Sequence, residues 1–291
     1  AARDNPLATP MRFRRSGAAL DKPALLDAIQ KSNGKLAIMV HGLCMNDRQW
    51  QRNGHDHGAM LARDLGLMPV YVHYNTGRHI SENGRNFSDL LEALVELSPR
   101  PLDLFIIAHS MGGLVSRSAC HYANQSGHTW LHRLRKLIFL GTPHHGAVLE
   151  KGGNWITILM GISPYSAPFA RLGKIRSAGI TDMRYGNLTD QDWKNRDRFD
   201  CSGDQRMPVA LPEGAACYAI AAAKGKKTSK WGDEVIGDGL VTLNSALGVH
   251  KHPDLNLSIP KSRQWIGRDM NHMDLLSHPA VYKTIRQWID N

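Results

Sequence analysis

Continuous apolar runs recur through the chain: KLAIMV at 35–40, MPVYVHY at 68–74, LDLFIIAH at 102–109 and LRKLIFLG at 134–141. Between them lie stretches of helical periodicity: PALLDAIQKS at 23–32, a segment within 48–65, NFSDLLEALVEL at 86–97, and 111–125. A strand that is apolar at every position must be covered on both faces. Strands that alternate with amphipathic helices satisfy this as a parallel sheet with helices on either side. The pattern resumes with strands at 216–222 and near 264–268, and a last helix at 279–289. The chain is therefore expected to be α/β, with a mostly parallel sheet and helices on both faces.

The rhythm breaks from about 147 to 205, where short helical pieces alternate with turns. Open α/β sheets bind ligands beyond the carboxyl ends of their strands, and a late insertion is well placed to cover that region. The expected organisation is an irregular basic arm over 1–20, a core formed by 21–146 and 206–291, and a helical lid or cap over 147–205. With 291 residues, 42% of them hydrophobic, the chain can bury one large core. No apolar run approaches the roughly 18–20 residues that span a bilayer. No signal-peptide pattern is legible, and the compartment is left open.

The formal net charge is +10, with the densest basic stretches at 12–15 (RFRR) and 224–230 (KGKKTSK). Neither is interleaved with aromatic residues and no nucleic-acid motif is present, so nucleic acid is not an expected partner. Both read as solvated charged loops, with contact to an anionic membrane surface left open. Cys44, Cys120, Cys201 and Cys217 match no zinc spacing. Cys44 and Cys120 read as small buried hydrophobes; pairing of Cys201 with Cys217 stays open.

Ser110 stands at the joint between the apolar run ending at His109 and the helical pattern that begins with Met111. A sharp strand-to-helix turn would hold its Oγ clear of the sheet, at the positive end of the helix. Such a turn needs small residues two before and two after the serine, and here they are Ala108 and Gly112. A serine hydroxyl near neutral pH is a weak nucleophile and needs a base, and the oxyanion it generates needs donors. The backbone N–H groups of Leu43, after His41-Gly42, and of Met111 are the candidate donors. Asp238 in GDGLV is the candidate acid, with Asp233 and Glu234 as rivals, and a helix cap as its alternative role. His272 is the candidate base. His278 precedes Pro279 and suits a helix cap, and His144 and His145 precede the acid, which is the wrong order for the base.

The pieces VHGL, AHSMGGLVSR, LGTPHHGA, GDGLV and NHMDLL, in that order over about 35 to 290, resemble the α/β-hydrolase superfamily. Within it they are similar to bacterial lipases and the GPI-inositol-deacylase-like esterases. Ala108 departs from the glycine commonest at that elbow position. The resemblance implies a Ser110–His272–Asp238 triad that cleaves carboxylic esters through an acyl-serine, on a small-molecule, lipid or polyester substrate. His41, His109, His144, Leu159, Met160, Tyr165 and Phe169 are then candidates to line the substrate pocket. Acyl transfer or amide cleavage by the same machinery, or a non-catalytic binding protein on this fold, are the competing readings. No cofactor is expected. His55, Asp56 and His57 in NGHDHG read as a surface loop rather than a metal site, and Asp274 lacks an evident partner carboxylate, so no metal is expected either.

Overall fold

The computed structural model describes residues 10–147, 177–194, 204–224 and 237–291. Its strands and helices follow in chain order as β1 (Arg12–Arg15), β2 (Ala18–Ala19), α1 (Lys22–Lys31), β3 (Lys35–Val40), α2 (His57–Leu65) and β4 (Met68–His73). Next come α3 (Ile80–Leu97), β5 (Asp103–His109), α4 (Met111–Ser126), β6 (Leu134–Leu140) and α5 (Ala178–Tyr185). The chain ends with β7 (Ala216–Ala223), α6 (Leu243–Ala246), β8 (Gln264–Arg268) and α7 (Pro279–Asp290). Among the described residues no helix is long and apolar enough to cross a membrane.

One sheet runs in the order β2-β1-β4-β3-β5-β6-β7-β8. From β4 to β8 every pairing is parallel, while β1 is antiparallel to both β2 and β4. Side chains alternate across a strand, and β3 shows the consequence. Leu36, Ile38 and Val40 join the core shared with Ile29 of α1, Phe87 and Leu91 of α3, and Leu114 of α4. Ala37 and Met39 point the other way, into a core with Leu61 of α2 and Ile285 and Ile289 of α7. Each fully buried aliphatic side chain of this kind contributes about 1.5–3 kcal/mol, which is why an unbroken apolar run survives only in a sheet covered twice.

Residues 12–15, expected as a solvated loop in an irregular arm, instead form a strand paired between β2 and β4. Ser16 and Gly17 both take positive φ, 50° and 78°, the conformation of a two-residue hairpin turn whose twist matches its strands. Phe13 is thereby buried, and Arg14 Nε lies 3.1 Å from Asp47 Oδ1. The start of α3 also differs from expectation, at Ile80 rather than residue 86. Its first N–H donates to Asp182 Oδ2 at 2.9 Å, a cap supplied from a helix about a hundred residues away. Asp182 belongs to α5, within the 147–205 stretch, and Ala147 N–H donates to Met183 O, which ties the first residue of that stretch to α5. Cys44, expected to be buried, is exposed at φ 56°; Leu43 before it turns inward and the backbone reverses at Cys44. Cys120 is buried as expected and Cys217 is a buried free thiol; Cys201 lies outside the described residues.

Close approach of α4 to its neighbours depends on glycine. A Cβ at Gly113 would collide with the Thr142 side chain beyond β6, and one at Gly84 of α3 would collide with Ser118 of α4. Gly113→Ala is expected to destabilise the chain by about 1–3 kcal/mol through overpacking, read from urea unfolding midpoints. An unchanged midpoint would mean that α4 can lift from the sheet without loss.

Candidate active site

The joint between β5 and α4 sets Ser110 in an unusual backbone state, φ 53° and ψ −124°. A non-glycine residue held at positive φ is strained, and such strain persists only where the surroundings impose it. Here the Ser110 N–H donates to Leu140 O at 2.8 Å, tying the turn to the end of β6, and the Gly113 N–H donates back to Ser110 O at 3.0 Å. A Cβ on Gly112 would sit 2.5 Å from Val40 O and 2.6 Å from His41 O, so the second residue after the serine can carry no side chain. A Cβ on Gly42 would sit 3.1 Å from Ser110 Cβ. The β3 exit therefore lies directly against the serine, and places the Leu43 backbone one residue from that contact. Among the described residues, neither the Leu43 nor the Met111 N–H has a protein acceptor.

Asp238 and His272, 34 residues apart, meet. The His272 Nδ1–H donates to Asp238 Oδ2 at 2.5 Å, with both side chains buried. Asp238 Oδ1 accepts from the Leu240 and Val241 N–H groups, each at 2.9 Å. The carboxylate thus caps its own turn with one oxygen and orients an imidazole with the other; the helix that follows is capped by Thr242 instead. His272 Nε2 is buried and has no hydrogen-bond partner among the described residues. The His272 ring lies against Gly141, where a Cβ would come within 2.9 Å of Cε1, and its centroid is 4.7 Å from that of His109. Gly141 follows the residue that accepts from Ser110 N–H, and His109 precedes Ser110, so the ring lies against the segments that hold the serine.

The other histidines take distinct places. His278 caps α7, its Nδ1 accepting from the Ala280 N–H at 3.2 Å, as its position before Pro279 implied. His41 is fully buried, donates from Nδ1 to Gly42 O, and stacks on Tyr74 with centroids 4.3 Å apart. His109 donates from Nε2 to His272 O at 3.2 Å. His144 packs edge-on against Phe139, and its Nδ1 faces the buried Arg117 at 3.4 Å. Leu159, Met160, Tyr165 and Phe169, and the rival acids Asp233 and Glu234, lie outside the described residues. In NGHDHG, Asp56 caps α2 and accepts from Tyr71 OH, and His57 is fully buried rather than on a surface loop. It is drawn inward by a bond to Leu275 O that no local pattern announces. Among the described residues no group of three acidic, histidine or cysteine side chains could hold a metal ion.

Burial lowers the His41 imidazole to about 4 and that of His57 to about 3, opposed in part by their bonds to backbone carbonyls. Both stay neutral in the folded chain at pH values where an unfolded histidine, with its ordinary value near 6.5, takes up a proton. The unfolded state then binds more protons, so stability falls as pH drops below about 6.5, by about 1.4 kcal/mol per pH unit for each group, until the folded values are reached. Urea unfolding at about pH 7.5 and about pH 5 is expected to show this loss, and His57→Phe is expected to reduce its slope by one histidine's share. A stability curve flat over that range would contradict the burial of these rings.

A family model described as a domain of unknown function, DUF7379, matches residues 8–176, more than half of the chain. The chain belongs to the DUF7379 family. The match takes in the β3 exit and the Ser110 elbow, and ends before Asp238 and His272. No curated protein matches the chain. Among solved structures, the mature lipase BlEst2 of Bacillus licheniformis is similar over 88% of this chain and 92% of its own, at 17% identity and a TM-score of 0.56. The metagenomic carboxyl esterase MGS0156 is similar over 88% and 76%, at 13% identity and 0.50. The NocB thioesterase domain, solved as a covalent complex with a fluorophosphonate, is similar over 91% and 98%, at 9% identity and 0.51. At such identities the likeness speaks to architecture: this DUF7379 chain has the α/β-hydrolase fold.

Proposed function

We propose that the chain is a serine hydrolase that cleaves carboxylic esters through an acyl-Ser110 intermediate. The observation that carries this reading is the buried 2.5 Å bond from His272 Nδ1–H to Asp238, which leaves His272 Nε2 without a partner beside the Ser110 elbow. A neutral imidazole with its proton on Nδ1 has a bare lone pair on Nε2, the form a general base requires. On attack, the Ser110 hydroxyl proton passes to Nε2 as Oγ bonds to the acyl carbon; Asp238 stabilises the imidazolium. The Leu43 and Met111 N–H groups receive the oxyanion, which in a dry site is the largest single contribution to such catalysis. The imidazolium then gives its proton to the departing alkoxide, and water, deprotonated by the same Nε2, releases the acid. Catalytic hydrogen bonds are often open before substrate binds, so an unclosed Ser110–His272 link fits this sequence of steps.

Within the α/β hydrolases, the motif set argues for the bacterial lipase and GPI-inositol-deacylase-like branch, with an ester of small-molecule, lipid or polyester origin as substrate. Incubation with a fluorophosphonate tests the reaction class. The expected result is one covalent adduct on Ser110, located by peptide mass spectrometry, and none on Ser110→Ala. An unmodified wild-type chain would overturn the proposal. Product analysis with added alcohol or amine separates hydrolysis from acyl transfer: free acid as the dominant product is expected.

A further inference from the structure

The segment that bears His272 is a tight turn braced from within. Asn271 Oδ1 accepts from the Met273 and Asp274 N–H groups, and Asp274 Oδ2 accepts from the Asn271 N–H at 2.8 Å. Such a turn moves as a unit, so its outside attachments decide where the His272 ring stands. Two of its carbonyls are held by buried imidazoles from other elements. His272 O accepts from His109 Nε2–H, and Leu275 O accepts from His57 Nε2–H at 2.9 Å. A carbonyl can only accept, so His57 carries its proton on Nε2 and presents a bare Nδ1. His55 Nε2, 2.7 Å from that Nδ1, is then the donor, which locks His57 in the tautomer that grips the turn. The His57 ring is fully buried, edge-on to Trp50 and stacked on Tyr282. It is the first residue of α2, whose capping Asp56 is in turn fixed by Tyr71 OH at 2.8 Å.

We infer that His57 is a positioning residue for His272, acting through the Leu275 carbonyl, with His55 setting its tautomer. The inference rests on the triad reading. Asp238 fixes the Nδ1 side of the His272 ring, but the reach of Nε2 toward Ser110 follows from where the backbone of residues 272–275 sits. Misplacement of a reacting group by about 1 Å can lower a rate about 100-fold, so a single bond to this turn carries weight in catalysis out of proportion to its strength.

The test measures kcat and KM for p-nitrophenyl butyrate in His57→Phe, His57→Gln and His55→Phe, with thermal melts to confirm folding. Phe keeps the aromatic packing and removes the N–H. Gln places an amide N–H near the position of Nε2. His57→Phe is expected to lower kcat about 10- to 100-fold with KM within about twofold of wild type, and His57→Gln to recover most of that loss. His55→Phe, which frees the His57 tautomer, is expected to fall between. A folded His57→Phe with wild-type kcat would overturn the inference, as would equal losses in the Phe and Gln variants. Should His57→Phe fail to fold, His55→Phe decides: an unchanged kcat overturns the inference and a kcat loss at constant KM supports it. A wild-type chain inert to both ester and fluorophosphonate would instead overturn the hydrolase reading, so the two failures are distinguishable.

Discussion

Ser110→Ala is expected to leave a folded chain whose ester-hydrolysis kcat has fallen by roughly 10⁶, the size of loss when one member of such a triad is removed. Folding should be preserved because alanine meets the same backbone demand as serine at φ 53°, and the N–H bond to Leu140 O does not involve the side chain. The rate that remains is expected to exceed that of water by about 10³–10⁴, from the oxyanion donors and substrate binding alone. His272→Ala should lose as much, and the double variant no more than either single one, since groups that act as one unit are not additive. His278→Ala is the control. It removes a helix cap worth about 1 kcal/mol and should leave kcat unchanged. Steady-state rates on a p-nitrophenyl ester, with circular dichroism melts, decide the matter. Near wild-type turnover in folded Ser110→Ala, or a loss of turnover at His278 rather than His272, would remove the triad as assigned.

Asp238→Asn is expected to lower kcat about 10⁴-fold while keeping the fold. The reason is specific to the two-oxygen arrangement. The side-chain oxygen can go on accepting from the Leu240 and Val241 N–H groups, so the turn persists. The amide nitrogen then faces His272 Nδ1 with a donor. The imidazole responds by placing its proton on Nε2, and the base is lost although the histidine itself is untouched. Comparison of kcat with the unfolding midpoint separates this from a structural effect. A parallel fall in both, or a kcat within about tenfold of wild type, would mean that Asp238 serves the turn and not the imidazole.

Much of the architecture is legible in the amino-acid sequence itself. The strands 35–40 and 134–140 stand where unbroken apolar runs placed them, because a strand with both faces covered leaves a pattern that no exposed element can share. The Ser110 elbow is legible because its sharp turn needs small residues at fixed offsets from the serine, which appears as a spacing, although the carbonyls that press on Gly112 come from Val40 and His41 of another segment. The position of His278 before Pro279 announces a helix cap because a cap bonds within the first turn of its own helix.

What the chain's own order of residues determined is the alternation of strands and helices, which follows from burial on both faces, and the serine turn, whose small residues stand at fixed offsets even though distant segments impose them. Only the tertiary structure decided the rest. It joined Asp238 to His272 across 34 residues, started α3 at Ile80 on a carboxylate from α5, paired RFRR into the sheet beside β4, and drew His57 inward to hold Leu275 O. Each of these depends on one directed bond or one ladder between segments distant in sequence. A lone polar side chain carries no mark of its partner until packing has excluded water and left that partner as the one group able to satisfy it.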